Sequence, residues 1–169
     1  MIKDPFTEKM TSSCIVFSLI LVLNFFAGTT SWTIYGDEVV AFTAKISRDM
    51  TFGSHEIIKY DAVMTNLGTC YNPKTGVFTA PYNGLYSISC SLMAHSNNEV
   101  LLRVVKNGGK VSKLYSASKT YPQAGQTLLL LLNKGDKIWV QNDKPQSASL
   151  HDHGSYNVFS GFLIKALIK

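Results

Sequence analysis

From residue 39 onward, short runs of alternating apolar and polar residues recur between clusters of glycine, asparagine, proline and aspartate. The first run places four apolar side chains on one face of a strand: Val40, Phe42, Ala44 and Ile46. The run at residues 85–94 does the same with a second set: Tyr86, Ile88, Cys90 and Leu92. No helical period is sustained anywhere in this region. The pattern therefore predicts an all-β sandwich or barrel with about eight to ten strands.

Turn and strand signals in the second half of the chain complete this outline. The tripeptide Asn107-Gly108-Gly109 predicts a tight hairpin, because asparagine and glycine tolerate positive φ angles. Residues 128–132 are apolar at every position, which predicts a central strand covered by a layer on each face. We expect a polar loop over residues 142–154 and a closing strand over residues 156–168.

The first 29 residues have the layout of a cleavable secretory signal. Lys3 and Lys9 precede an apolar run that ends in small residues near Thr29. The run is shorter than the roughly 18 residues that a membrane span needs, and no basic stop-transfer cluster follows it. We expect a signal peptide at residues 1–29, a linker at 30–38 and one domain at 39–169. The predicted product is secreted to the extracellular space without a membrane anchor.

The net charge of the chain indicates which kinds of binding partner to expect. The chain has 16 Lys and Arg residues against 11 Asp and Glu residues, a formal net charge of +5. This mild excess favours adhesion to acidic glycans or anionic cell surfaces. No dense run of Lys and Arg marks a nucleic-acid groove, so nucleic acid is not an expected partner.

The cysteines leave two alternatives open. Cys14 lies in the apolar leader, so only Cys70 and Cys90 remain after cleavage. In an exported chain two such cysteines either pair or stay as buried thiols, and Cys90 alternates with apolar residues as a buried thiol would. The chain has no Asn-x-Ser/Thr acceptor, so we expect no N-glycosylation.

A set of residues at fixed spacings carries a family resemblance: Tyr60, Asn66, Tyr71, Phe78, Gly84 and Tyr86. This pattern resembles the globular domain of complement component C1q, whose jelly roll is shared with tumour necrosis factor. The closing segment is similar to the last strand of that family and contains Phe159, Gly161 and Phe162. The chain departs from the family at Tyr60 and Ile88, where Phe is usual, and at Cys90, where an aromatic residue is usual. These exchanges keep apolar bulk and leave the expected fold unchanged.

The resemblance covers residues 39–167 and implies an all-β jelly-roll sandwich of about ten strands. It also implies a homotrimer, because domains of this family pack as threefold bundles. The aromatic residues of the pattern are expected in the core or at the subunit interface, since they fill the space between sheets. Gly84 is expected to permit a turn that a side chain would obstruct.

Catalytic motifs are absent from the sequence, so we do not expect an enzyme. No cofactor has a complete set of ligands, and calcium is the one candidate. Some members of the resembled family bind calcium through acidic side chains and carbonyl oxygens in loops, and Asp143 and Asp152 lie in a comparable late loop. His151 and His153 flank Asp152 on one side of an extended chain, which is typical either of a nascent metal site or of a solvated polar loop.

Basic residues gather around the predicted hairpin and define the candidate ligand-binding set: Arg103, Lys106, Lys110 and Lys113. Lys119 lies in the loop that follows. Such residues form either a patch for polyanions or a dispersed solvated face, and both interpretations stay open. Binding through a charged patch should weaken as salt rises.

These features predict a secreted, homotrimeric binding protein of the short globular-head type without a collagen stalk. Its partners would be further copies of itself and microbial or host surface glycans or other polyanions, recognised multivalently as in innate-immune pattern recognition. The alternatives are a trimeric ligand for a cell-surface receptor and a component of the extracellular matrix, because fold alone does not choose among them.

Overall fold

A computed structural model describes residues 39–167, so the predicted signal peptide (1–29) and the predicted linker (30–38) lie outside the described residues. The chain forms strands β1 Ala41–Lys45, β2 Met50–Phe52, β3 Ala62–Leu67, β4 Tyr71–Asn72, β5 Val77–Thr79, β6 Gly84–Met93, β7 Val100–Lys106, β8 Gly109–Ser116, β9 Gln123–Leu132, β10 Lys137–Asn142, β11 Ala148–Leu150 and β12 Val158–Ala166. The all-β prediction is confirmed.

Two five-stranded antiparallel sheets contain ten of these strands. The first sheet has the order β3-β1-β12-β6-β9, and the second has the order β4-β5-β10-β7-β8. The remaining strands, β2 and β11, pair with each other in a small two-stranded ribbon. Most neighbours within the sheets are distant in sequence, so the sandwich is joined by long-range pairing.

The predicted alternation corresponds to the observed burial. In and beside β1, the residues predicted to face the core are all at most 3% exposed: Val40, Phe42, Ala44 and Ile46. The inward residues of β6 are at most 5% exposed: Tyr86, Ile88, Cys90 and Leu92. Each strand therefore turns one set of side chains inward, as the two-residue period requires.

Aromatic rings from both sheets fill the centre of the sandwich. Phe42 stacks on Tyr71 and Phe78 at centroid distances of 5.1 and 5.0 Å. Phe159 meets Phe42 edge-on at 4.9 Å, and Tyr86 meets Phe78 edge-on at 5.7 Å. Offset and edge-on contacts of this kind stabilise a core beyond the area that the rings bury.

Two polar residues of the pattern hold the segment before β5. The Asn66 side chain donates to the Tyr71 carbonyl at 2.8 Å and accepts from the Tyr71 N–H at 3.1 Å. The Tyr71 hydroxyl donates to the Tyr60 carbonyl at 3.0 Å and accepts from the Tyr60 N–H at 3.1 Å. The Tyr60 hydroxyl is buried and has no hydrogen-bond partner among residues 39–167.

Gly84 and Gly161 are required for close packing within the first sheet. The turn predicted at Gly84 is wrong, because Gly84 begins β6 in extended backbone and is buried. A Cβ at Gly84 would lie 2.6 Å from both the Leu163 side chain and the Lys165 carbonyl. A Cβ at Gly161 would lie 2.7 Å from Ile88 and 2.8 Å from the Phe42 ring.

The predicted hairpin is confirmed. Asn107 and Gly108 connect β7 to β8 with φ angles of 51° and 86°, as a tight turn with two left-handed residues requires. The Asn107 side chain also donates to Asp136 and accepts from the Lys137 N–H, both at 2.8 Å. The turn is thereby joined to the start of β10.

Two expectations about strand placement are wrong. The all-apolar run 128–132 belongs to β9, which is an edge strand of the first sheet and leaves its outward leucines exposed. The expectation assumed that a strand with two apolar faces is covered on both. Within a single chain, only the inner face of β9 is covered. The expected polar loop 142–154 contains β11, which pairs with the short strand β2.

Both cysteines in the described part of the chain are free, buried thiols. Burial raises the pKa of the Cys90 thiol to about 12. The pKa of Cys70 is also raised by burial. Of the two alternatives left open by the sequence, the structure shows the buried thiol.

Candidate functional site

The outer face of the first sheet carries a row that crosses all five strands and is apolar in four of them. Pairing partners in adjacent strands point to the same side of a sheet, so the register defines the row as Leu67, Ala41, Phe162, Ser87 and Leu129. Leu67, Phe162 and Leu129 are 50%, 51% and 64% exposed. Leu131 lies two residues beyond Leu129 on the same face and is 66% exposed.

Short hydroxyl side chains form the neighbouring row of the outer face: Thr65, Thr43, Ser160, Ser89 and Thr127. The hydroxyl groups of Ser89 and Thr127 share a hydrogen bond, with their oxygens 2.9 Å apart. Neither row contains a charged residue. We name these two rows the outer-sheet face.

Water is an unfavourable neighbour for the apolar row of the outer-sheet face. Full burial of one leucine or phenylalanine side chain is worth roughly 1.5–3 kcal/mol, and large exposed apolar patches mark protein–protein contacts. Signature residue Phe162 belongs to this face, whereas Phe159 and Gly161 of the same strand point inward. The arrangement is chemically suited to association with another apolar surface.

The predicted basic residues do gather on the β7–β8 hairpin, but acidic partners accompany them. Arg103 and Lys113 are paired across the two strands, and both contact the Asp143 carboxylate. The distance from Arg103 Nη1 to Asp143 Oδ1 is 3.2 Å. Lys106 Nζ lies 2.9 Å from Asp136 Oδ2. Three of the four predicted ligand-binding residues therefore already have a carboxylate partner.

These ion pairs shift the acidity of the carboxyl groups. A hydrogen bond from Lys106 lowers the pKa of Asp136 from 3.8 to about 2, assisted by the Asn133 N–H. A hydrogen bond from Lys113 lowers the pKa of Asp143. Both carboxylates are thus held in the charged form at neutral pH, and they offset part of the positive charge of the hairpin.

The two predicted calcium ligands occupy different surroundings. Asp143 is enclosed by Arg103 and Lys113, and its side chain is only 9% exposed. Asp152 accepts hydrogen bonds from the backbone and side chain of Asn157 at 3.2 and 3.0 Å. The structure does not unite them with a ring of further oxygen ligands. Calcium binding at these residues stays a prediction, and a cation at Asp143 would compete with two protein cations.

Sequence reasoning missed Asp49, which lies beside the flagged His151-Asp152-His153 segment. The ligand atoms of Asp49, His151 and His153 all lie within 4.8 Å of one another. The Asp49–His151 contact spans 102 positions of the chain. No local pattern marks Asp49, because its place depends on the pairing of β2 with β11.

A search of residues 39–167 for a helix long and apolar enough to cross a membrane finds none.

Comparison with known proteins places these features in context. Residues 41–164 match the family model of the C1q domain. Complement C1q tumor necrosis factor-related protein 3 of Homo sapiens is 32% identical over 133 residues, which cover 74% of this chain and 51% of that protein. Complement C1q tumor necrosis factor-related protein 6 of Mus musculus is 32% identical over 111 residues, covering 63% and 42% of the two chains. The chain spans about half the length of the curated relatives it matches.

Solved structures confirm the jelly-roll sandwich. The globular domain of zebrafish complement 1qA superposes with a TM-score of 0.58 at 20% identity, covering 76% of this chain and 99% of that one. Murine APRIL at pH 5.0 superposes with a TM-score of 0.59 at 10% identity, covering 75% and 99%. At these identities the likeness establishes the fold alone.

Proposed function

Because this chain belongs to the C1q domain family, we propose that it is a secreted, homotrimeric binding protein that recognises microbial or host surface glycans multivalently. The observation that carries the proposal is the outer-sheet face. Its exposed leucines and Phe162 are an apolar surface that a single chain leaves in water. A closed assembly of identical copies would cover the same patch on every chain.

Association of three copies would supply the affinity that one domain lacks. Three weak sites on one particle bind a repetitive surface with an avidity that exceeds the single-site affinity by about two to four orders of magnitude, provided that all three reach the surface together. The outer-sheet face would lie at the centre of the assembly. The loops and the β7–β8 hairpin would then remain accessible to ligands.

We propose that anionic ligands bind at the β7–β8 hairpin, because it keeps a net positive charge after its ion pairs have formed. Lys110 extends the positive charge around Asp143, and Arg103 and Lys113 share that one carboxylate. The four positive charges of the candidate ligand-binding set therefore outnumber the two negative charges of Asp136 and Asp143. Attraction of this strength is modest and sensitive to salt, so glycan binding would depend on three copies acting together.

The test uses the full chain expressed in cultured animal cells. We expect the protein in the medium, with a mass of three chains by light scattering, and with binding to acidic glycans and bacterial surfaces that weakens as salt rises. Retention inside the cells would overturn secretion, and a single-chain mass would overturn the trimer. Failure to bind any glycan or bacterium as a trimer would overturn the assignment of ligand class.

A receptor ligand is the second candidate, favoured by the curated relatives, which are named as tumor necrosis factor-related proteins. Saturable binding to a receptor ectodomain, with no binding to glycans or bacteria, would replace the first candidate with this one. The same trimer serves both functions, so the measurement of mass does not separate them.

A further inference from the structure

Three of the four histidines in the chain gather with one aspartate at the rim of the sandwich. Asp49 directly precedes β2, and His151 directly follows β11. The two strands are antiparallel, with Met50 opposite Leu150, so the residues at these two ends face each other. Asp49 Oδ2 lies 3.2 Å from His151 Nδ1. The fold itself therefore brings the carboxylate and the imidazole together.

A second contact adds His95 to the cluster. An isolated bridge pairs Ala94 with Leu150, so the residue after Ala94 comes to the side of His151. The two rings are 5.5 Å apart between centroids, and His95 Nε2 lies 3.6 Å from Asp49 Oδ2. The His95 N–H also donates to the Ser149 carbonyl at 3.1 Å, which fixes the backbone at this position.

Hydrogen bonds hold the cluster in place before any ligand arrives. The Asp152 N–H donates to Asp49 Oδ1 at 2.7 Å, so the other oxygen of that carboxylate is directed at His151. Asn157 is fully buried, and its side-chain nitrogen donates to the His151 carbonyl at 2.6 Å. Such outer contacts fix ligand orientation in metal sites.

We propose that Asp49, His151 and His153 form a binding site for Zn²⁺. Imidazole nitrogens and a carboxylate oxygen are ligands that zinc accepts in tetrahedral sites, whereas calcium takes oxygen ligands only. Zinc bonds of about 2.0–2.1 Å at a tetrahedral angle separate two ligand atoms by about 3.3 Å. Asp49 Oδ2 and His151 Nδ1 already have this spacing.

His153 completes the set by a rotation of its side chain. Its ring is stacked on that of His151 with centroids 4.7 Å apart, and the residue is exposed, so the imidazole is free to turn toward the metal. When zinc binds, His151 carries its single proton on Nε2 and offers Nδ1 to the metal. His95 is a positioning residue that lies against Asp49 and His151. The fourth position of the tetrahedron is left to water or to an exogenous ligand.

The zinc site does not depend on the ligand proposed above. It would connect residue 49 to residues 151 and 153, which are about 100 positions apart, and so close the rim where β2 and β11 meet. A cross-link of this length restrains the unfolded chain and raises the melting temperature.

The experiment is a calorimetric titration of the full-length protein, freed of metal with EDTA and carrying no histidine tag, with ZnCl₂. We expect one Zn²⁺ per chain, a rise in melting temperature with zinc, and no such rise with equal CaCl₂ or MgCl₂. His153→Gln should weaken zinc binding by at least about tenfold, and His95→Gln should weaken it less. The matched control is His55→Gln, which changes the one histidine outside the cluster.

Because His153 is exposed, His153→Gln should keep the wild-type circular dichroism spectrum and the metal-free melting temperature. Loss of zinc binding with an intact fold is the supporting result. The proposal is overturned if the wild-type protein binds no zinc, if His153→Gln binds zinc as tightly as wild type, or if His55→Gln weakens binding equally. None of these outcomes bears on trimer formation or on glycan binding, which are measured separately.

Discussion

The two faces of the first sheet are built from the same five strands and differ in how completely one chain covers them. The inner face carries Phe42, Tyr86 and Phe159, all at most 1% exposed. The outer-sheet face leaves Leu129 and Phe162 more than half exposed. The chain therefore buries the inner face by itself. The outer-sheet face is buried only when another molecule covers it.

Strand β9 shows the difference within one element. Its last residue, Leu132, is 3% exposed, whereas Leu131 beside it is 66% exposed. The two side chains are chemically identical, so their separate roles come only from the face that each one occupies. A change at one face should alter folding, and a change at the other should alter association.

The largest expected effect is on association. The double substitution Leu129→Asp with Leu131→Asp should convert the proposed trimer to a folded monomer, because charge on the outer-sheet face has to be desolvated whenever two copies meet. Light scattering gives the mass, and circular dichroism reports the fold. Tyr115→Asp is the control, since Tyr115 is 56% exposed on β8 of the second sheet. A double variant that stays trimeric contradicts the assignment of the face.

Neighbouring residues of β12 allow a sharper comparison. Gly161→Ala should lower the free energy of unfolding by about 1–3 kcal/mol, because the added methyl group meets Ile88 and the Phe42 ring at 2.7 and 2.8 Å. Phe162→Ala, in the monomeric double variant, should change that free energy by less than about 0.5 kcal/mol. Urea unfolding measures both. Equal losses at the two positions would show that the faces are not separable.

Two tyrosines test the polar side of the core. Tyr71→Phe should lower the free energy of unfolding by about 1–3 kcal/mol, because it removes the hydroxyl that both accepts from Tyr60 N–H and donates to Tyr60 C=O. Tyr60→Phe should raise it by about 1 kcal/mol, because the Tyr60 hydroxyl is buried without a partner. Each variant controls for the ring volume of the other. Opposite signs are the expected result in thermal melting.

The smallest effect concerns the charges of the hairpin. The pKa of Asp136 is lowered in the folded protein from 3.8 to about 2. The unfolded chain therefore takes up the proton first, so the Lys106–Asp136 pair stabilises the fold above about pH 4, and this contribution is lost as the pH falls toward 2.

Asp136→Asn should cost about 1 kcal/mol at neutral pH and flatten the loss of stability between about pH 4 and 2. Melting temperatures measured across that range check this. Glu99→Gln is the control, because the Glu99–Lys144 pair has a Glu99 side chain that is 46% exposed and should contribute less than about 0.5 kcal/mol. An unchanged acid slope in Asp136→Asn would contradict the assignment.

Alternation and spacing predicted the inner face well. The period of two identified the buried residues of β1 and β6, and the family pattern predicted Tyr71 and Phe78 in the core or at the subunit interface; both are buried in the core. The β7–β8 hairpin was predicted separately, from Asn107-Gly108, which is a local signal for one turn type. Local chemistry is sufficient wherever neighbouring residues determine the geometry.

Features set by distant residues were not predictable in this way. The position of β9 was misassigned because an apolar run shows only that both faces of the strand are apolar. It does not show whether the same chain or another molecule covers the outer face. Strands β2 and β11 have three residues each, too few to show a period. The carboxylates beside Arg103 and Lys106 and the approach of Asp49 to His151 all follow from the register of paired strands.

The free thiols Cys70 and Cys90 have a consequence for the lifetime of the protein. Since no disulfide crosses the described sandwich, nothing covalent limits how far the chain opens once it begins to unfold. Persistence in a dilute, protease-rich fluid would then rest on mass action between copies, with separated chains degraded fastest. Dilution itself would then set how long the assembled protein persists.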